Sequence, residues 1–193
     1  MYDGGTQKIT VHPLTIDRWA DLEALFGPRG ACGGCWCMSW RLPRSQFDKQ
    51  KGSGNKRAFK AIVKSGTPPG LLAYVGGEPV GWCALAPREC YPALGRSRIL
   101  APIDDQPVWS ITCFFVARPY RRQGISVHLL EAAVKFAKRR GARIVEGYPQ
   151  EPASGPWPDA FVWTGTAAAF RRAGFVEVAR RSAARPIMRY RLK

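Results

Sequence analysis

Ile9 and Val11 alternate with polar neighbours, and this period of two predicts a short strand ending near Pro13. The spacing then changes. Trp19, Leu22, Leu25 and Phe26 recur at three- and four-residue intervals, which predicts a helix over 15–26 with Thr15 as its N-cap. Gly27-Pro28 stops it. Residues 27–54 are rich in Gly, Pro, Ser, Cys and Trp and keep no period, so they are read as a long loop of functional character. A second helix fits 55–64 and is broken by Gly66-Thr67-Pro68-Pro69-Gly70.

Residues 71–75, the pair Gly76-Gly77 and residues 79–86 have the pattern of a β-hairpin. Residues 91–96 fit a single helical turn. The run 108–116 carries aromatic and β-branched residues on both faces, which predicts a central, buried strand. An amphipathic helix follows over 124–140, stopped by Gly141, and then a strand over 143–148. Residues 149–159 hold four prolines and a glycine and read as an irregular loop. Thr164 or Thr166 caps a helix reaching Ala173, with Gly174 closing it, and strands follow over 176–180 and 187–192. No internal repeat and no interdomain linker interrupts this order. Its strand–helix–strand crossover predicts an α/β (α+β) sheet covered by helices on both faces, with residues 1–193 as one domain.

A length of 193 residues fits one ordinary domain with a sizeable core. Hydrophobic residues at 46% and charged residues at 23% exclude a disordered chain. No apolar run is long enough to span a bilayer, and Met1-Tyr2-Asp3-Gly4-Gly5 opens no secretory signal, so a cytoplasmic location is expected. The net charge is +16, from 30 Lys and Arg against 14 Asp and Glu. From Arg171 onward there are eight cations against the single acid Glu177. A field of this sign attracts nucleotide phosphates, nucleic acid and acidic substrates, while most of these side chains are read as solvated surface.

The richest stretch is Val116-Ala-Arg-Pro-Tyr-Arg-Arg-Gln-Gly-Ile-Ser126. A strand runs into a short basic turn, and the turn opens into a helix near Gly124. The first N–H groups of a helix have no internal partner, and the helix dipole is positive there, so this is a place to hold phosphate.

Arg121-Arg122-Gln123-Gly124-Ile125-Ser126 resembles the [Gln/Arg]-x-x-Gly-x-[Gly/Ala] turn of the GNAT superfamily of acyl-CoA N-acyltransferases, with Ser126 in place of the usual Gly or Ala. The preceding hairpin and the downstream Phe170-Arg171-Arg172-Ala173-Gly174-Phe175 extend the resemblance over roughly 70–182. It implies a mixed, mostly antiparallel sheet flanked by helices, with the central strand splayed from the next one. It implies acetyl-CoA as co-substrate. Backbone N–H groups of Arg122, Gln123, Gly124, Ile125 and Ser126 would hold its pyrophosphate, with the Arg121 and Arg122 side chains adding charge. Backbone groups of Phe114, Phe115 and Val116 would pair with pantetheine, and an N–H near Phe115 or Val116 would polarise the thioester carbonyl. A packed or exposed helix residue is the expected state of His128.

The family's frequent general acid is a Tyr four residues before the closing Gly, where this chain has Phe170. Tyr148 and Ser154 are substitutes by residue type. Glu146, on the strand after the cofactor helix, is the first candidate for a base, and Glu89 the second. Cys32-Gly-Gly-Cys35-Trp36-Cys37-Met38-Ser39-Trp40 admits three readings: a wall of the acceptor pocket, a metal site completed by Cys83, Cys90 or Cys113, or a redox pair. The pocket wall is preferred and no metal is expected. The six cysteines are expected to be reduced, and Trp36, Trp40, Trp157 and Trp163 shape the pocket or fill the core.

The resemblance therefore implies an acetyl-CoA-dependent N-acetyltransferase that acylates a primary amine of a small molecule within a ternary complex. The partners are CoA and the amine, without a membrane, and a homodimer is compatible. Two alternatives stand beside it: an acceptor amine carried by nucleic acid or protein, such as aminoacyl-tRNA or a ribosomal protein, and a non-catalytic CoA-binding regulatory module.

Overall fold

The alternation seen at the start of the chain places Ile9–Pro13 (β1) beside Gly70–Val75 (β2), which turns through Gly76-Gly77 into Glu78–Pro87 (β3). The computed structural model describes residues 8–151 and 162–193. Trp109–Val116 (β4), Ile144–Gly147 (β5), Val176–Arg180 (β6) and Pro186–Arg191 (β7) complete a seven-stranded sheet in the order β1-β2-β3-β4-β5-β7-β6. β4 and β5 pair in parallel, and the other strand pairs are antiparallel. The expected central strand is the fourth of seven.

Helices cover both faces. The first helical stretch is a 3-10 turn, Ile16–Arg18, continued by Trp19–Phe26 (α1). Two helices follow, Arg44–Lys49 (α2) and Ser53–Lys64 (α3). α2 lies inside the stretch expected to be loop, and α3 starts two residues before the expected position. A six-residue helix with Phe47 as its buried residue shows no period, which is why the pattern hid it. Pro92–Gly95 (α4) is the predicted single turn. Ile125–Arg139 (α5) is the amphipathic helix, and Ala167–Arg172 (α6) is capped by Thr166, whose hydroxyl accepts the Ala169 N–H at 3.2 Å. Gly174 takes the left-handed position after it (φ +85°).

Side chains alternate between the two faces as a pleated sheet requires. Leu71, Ala73 and Val75 of β2 pack under α5 and α6, while Leu72 and Tyr74 pack under α1 and α3. β4 breaks this parity. Ala84 pairs with Cys113 and Leu85 with Ile111, so Thr112 is an extra residue in a bulge. Ile111 and Phe114, three apart, consequently share the α5 face, while Cys113 and Phe115 share the other. The bulge aims the last residues of β4 at the site described below. Gly81 of β3 lets α5 settle close, since a Cβ there would lie 2.7 Å from Ile125 Cγ2. Among the described residues, no helix is long and apolar enough to cross a membrane.

Candidate active site

β4 and β5 pair over three residues only, Trp109–Ile111 against Val145–Gly147, and then part. The opening belongs to a cleft of about 710 Å³. Which backbone groups of β4 face it follows from alternation. The Ala117 N–H donates to Val80 O at 2.9 Å, toward β3. The Val116 and Phe114 amides must then face the open side and Phe115 must face β3. The Phe115 backbone therefore faces β3, while Phe115 itself is among the residues that line the cleft. The Phe114 N–H is already engaged by the Trp163 carbonyl at 2.6 Å, and the Val116 carbonyl accepts Arg121 Nε at 3.0 Å.

After a 3-10 turn at Arg118–Tyr120 the backbone becomes left-handed twice, at Arg122 (φ +62°) and at Gly124 (φ +80°, ψ 0°), before α5 begins. Positive φ at Arg122 and Gly124, with the right-handed Ile125 directly after Gly124, turns successive N–H groups toward one concavity, an anion nest. The α5 dipole adds positive potential at the same place. Arg121, Arg122, Gly124, Ile125 and Ser126 line the cleft, as do Phe114, Phe115 and Val116. Gln123 does not; its side-chain amide donates back to Pro119 O at 2.8 Å. His128 is exposed, with Nδ1 3.2 Å from the Gly124 carbonyl. Tyr120, Thr166 and Arg172 also line the cleft and were not singled out as site residues. Arg172 sits in the Phe170–Phe175 motif, so the signal for it was present but was spent on the fold.

The acid–base candidates lie elsewhere. Glu146 is 1% exposed. Its carboxylate accepts Arg189 Nε at 2.7 Å, Arg88 Nη1 at 3.1 Å and the Tyr148 hydroxyl at 2.7 Å. Arg189 continues to Asp104 through a fork at 2.6 and 3.0 Å, and the Tyr148 hydroxyl also meets Ser110 at 2.9 Å. Burial, then the Glu146 charge, push the Tyr148 phenol well above its ordinary range. Glu89 is exposed on the 3-10 turn Arg88–Cys90. None of the three carboxyl or phenol groups lines the cleft. Ser154 and Trp157 lie outside the described residues, as does most of the 149–159 stretch. Phe170 is fully buried, edge-on to Phe114 and Phe175, at 6.0 and 4.9 Å between ring centroids.

The cysteine–tryptophan segment forms the opposite wall. Trp36 (φ +43°) and Cys37 (φ +55°) are consecutive left-handed residues, a strained reversal that sinks both side chains into the core. The Trp82 indole N–H donates to Cys37 Sγ at 2.9 Å. Asn55, fully buried on α3, ties the segment down by donating to Gly34 O at 3.2 Å. Cys32, Cys35, Cys37 and Cys113 line the cleft with Trp40 and Trp163, whose rings lie 5.8 Å apart. Burial pushes the Cys35 thiol up to about 11. Contact with the Cys37 thiol, then burial, push Cys113 up as well. Among the described residues no three His, Cys, Asp or Glu side chains are disposed to hold a metal ion, and the six thiols are free.

Comparison with known proteins agrees with this geometry. The model of the acetyltransferase (GNAT) family matches residues 36–155. An uncharacterized N-acetyltransferase of Methanocaldococcus jannaschii is 32% identical over 103 residues, which are 52% of this chain and 41% of that relative. The match thus spans less than half of the relative's length. An acetyltransferase of the GNAT family from Listeria monocytogenes superposes with a TM-score of 0.59 at 10% identity, over 97% of each chain. The PaiA N-acetyltransferase of Thermoplasma acidophilum, in complex with coenzyme A, gives 0.54 at 15% identity over 96% of this chain and 99% of its own. The putative acetyltransferase YncA of Salmonella typhimurium, with acetyl-CoA, gives 0.54 at 13% identity over 96% and 94%. At these identities the structures speak for the fold, and the family match covers more than half of the sequence: the chain belongs to the acetyltransferase (GNAT) family.

Proposed function

We propose that the chain is an acetyl-CoA-dependent N-acetyltransferase that acylates a primary amine of a small-molecule acceptor by direct attack in a ternary complex. The observation that carries this reading is the nest made by Arg122 and Gly124 at the N-terminus of α5, beside the point where β4 and β5 part. A pyrophosphate suits that arrangement, with Arg121 and Arg122 adding charge. The CoA and acetyl-CoA in the PaiA and YncA structures support the choice of donor. The Val116 N–H faces the open side of β4 and would stabilise the developing oxyanion of a thioester carbonyl. The N–C bond forms, the C–S bond breaks, and the proton leaving nitrogen ends on the thiolate. Phe170 has no proton to give, and the Tyr148 phenol is buried and holds its proton tightly. Glu146, clasped by two guanidinium groups, is assigned a positioning role at the splay rather than the role of base.

Titration calorimetry with CoA and thiol release from acetyl-CoA test the reading. Bound CoA and amine-dependent thiol release are expected; absence of CoA binding would sink it. CoA binding without release across a broad amine panel would leave a regulatory module. The +16 charge favours one second reading, an acceptor amine carried on nucleic acid. Nucleic acid that co-purifies and is shed steeply as salt rises would favour it.

A further inference from the structure

We infer that the turn at 162–165 is a latch, closed in the free chain by the Trp163 carbonyl and lifted when the pantetheine arm of the donor takes its place on β4. This rests on the acetyl-CoA reading of the cleft and deepens it. The Phe114 and Val116 amides face the open side of β4, two residues and about 6.5 Å apart. An extended arm that carries amides, laid along that edge like an added strand, meets both donors in turn. The Phe114 donor is already taken, because the Trp163 carbonyl accepts it at 2.6 Å. Phe114 is 7% exposed, so this bond satisfies an amide that is costly to leave unpaired. The free chain thus fills with its own backbone a position that the donor also requires.

The contacts around Trp163 show which part moves. Its ring lies against Trp40 of the opposite wall, with centroids 5.8 Å apart and planes at 32°. The Gly165 N–H closes the turn on Val162 O at 2.8 Å. The base of the turn is anchored. Thr164 is 1% exposed and its hydroxyl accepts Arg185 Nη2 at 3.4 Å, while the Gln150 N–H donates to Gly165 O at 2.8 Å. Val162 and Trp163 are only half-buried. Opening therefore breaks the Phe114 and Gly165 hydrogen bonds and parts the two rings, while the chain beyond Trp163 keeps its anchors. A protein that opens before its donor site is complete binds that donor more weakly, in proportion to the fraction of molecules that are closed.

Calorimetry on three full-length chains tests the latch. Trp163→Gly removes the ring that presses on Trp40 and should bind CoA about fivefold more tightly than the parent. Trp163→Phe keeps a ring there and should stay within about twofold of the parent. The control ligand is 3′-phospho-ADP, the nucleotide half of CoA without its arm. It does not reach Phe114, so its affinity should be the same in all three chains. Unchanged or weaker CoA binding by Trp163→Gly, with 3′-phospho-ADP binding intact, would overturn the latch. A measurement on the parent alone guards against misfolding of the glycine variant. In fluorotryptophan-labelled protein, the fluorine resonances of Trp163 and Trp40, assigned by replacing each with Phe, should shift on saturation with CoA and stay in place with 3′-phospho-ADP. A Trp163 resonance unmoved by CoA would equally overturn the latch. A parent that binds neither ligand would instead strike the acetyl-CoA reading itself.

Discussion

Gly147 is glycine because Phe170 occupies the space a side chain would need. A Cβ there would lie 2.1 Å from Phe170 Cε1, and one at Gly165 3.0 Å from its Cε2. The ring that replaces a tyrosine is thus keyed into the floor of the splay. Gly147→Ala should destabilise the fold by at least about 1–3 kcal/mol through overpacking. Phe170→Leu in the same chain should recover part of that loss, so a double-mutant cycle by urea unfolding should give a non-zero coupling; simple additivity would refute the keying. Gly124 differs in kind. A Cβ there meets only the His128 ring at 3.9 Å, so the strain is conformational, from φ +80°. Gly124→Ala should cost about 1–2 kcal/mol in stability. CoA affinity should fall by tenfold or more because the nest reopens, and unchanged affinity by calorimetry would remove the cradle assignment. The Gly124 turn was legible because its chemistry is local: a basic turn, a glycine and a helix start adjoin in sequence. The Gly147–Phe170 fit was not, because the two residues meet only after β5 and α6 have packed.

At the scale of elements the splay between β4 and β5 is the feature to explain. β5 is four residues long and pairs with β4 over three, yet the opening beyond it is a defined cleft. A chain of charges, buried at Glu146 and Arg189, fixes the paired end: Arg88 just after β3, Glu146 on β5, Arg189 on β7 and the exposed Asp104 in the segment before β4. Glu146 and Arg189 have side chains 2% exposed, and removing the Glu146 charge leaves the largely buried Arg88 without its carboxylate and Arg189 with Asp104 alone. Glu146→Gln should therefore destabilise the protein by about 3–5 kcal/mol while the shape of its pH–rate profile is kept. A base would behave in the opposite way, with full stability and a lost acidic limb. The periodicity of the sequence revealed the seven strands among the described residues, the hairpin included. It concealed α2 and the Thr112 bulge, because neither leaves a periodic trace: one is too short, and the other is a single residue out of register. It marks Glu146 as a candidate base but not its partners, since a carboxylate on the strand after α5 looks alike in sequence whether it meets water or two arginines.

For the whole molecule, the ionisable groups set a stability window that differs at its two ends. Glu151 links α6 to β6 by accepting from Arg171 and Arg180, and these partners hold its carboxyl near 2, below the ordinary 4.5. A depressed carboxyl stabilises above its unfolded value and loses that contribution as pH falls, here from about 4.5 toward 2. With 30% of its side chain exposed, Glu151 should shape the acid limb only weakly. The alkaline limb has more behind it. Cys35 is raised from 9.0 to about 11 by burial, Tyr91 from 10.0 to about 12 by burial, and Cys113 and Cys83 move the same way. Each is neutral when protonated. Its contribution is complete below the unfolded pKa and disappears as pH rises through the folded one, so for Cys35 the descent runs from about pH 9 to pH 11. The +16 charge complicates a single curve, because self-repulsion relaxes as lysines lose their protons over the same range. A paired measurement removes that term: Tm against pH for the parent and for Cys35→Ser, which differ by one titrating group. The parent should fall more steeply between pH 9 and 11. Superimposable alkaline limbs would mean that the Cys35 thiol ionises as freely in the folded chain as in the unfolded one, and that the thiol wall of the cleft is open to water.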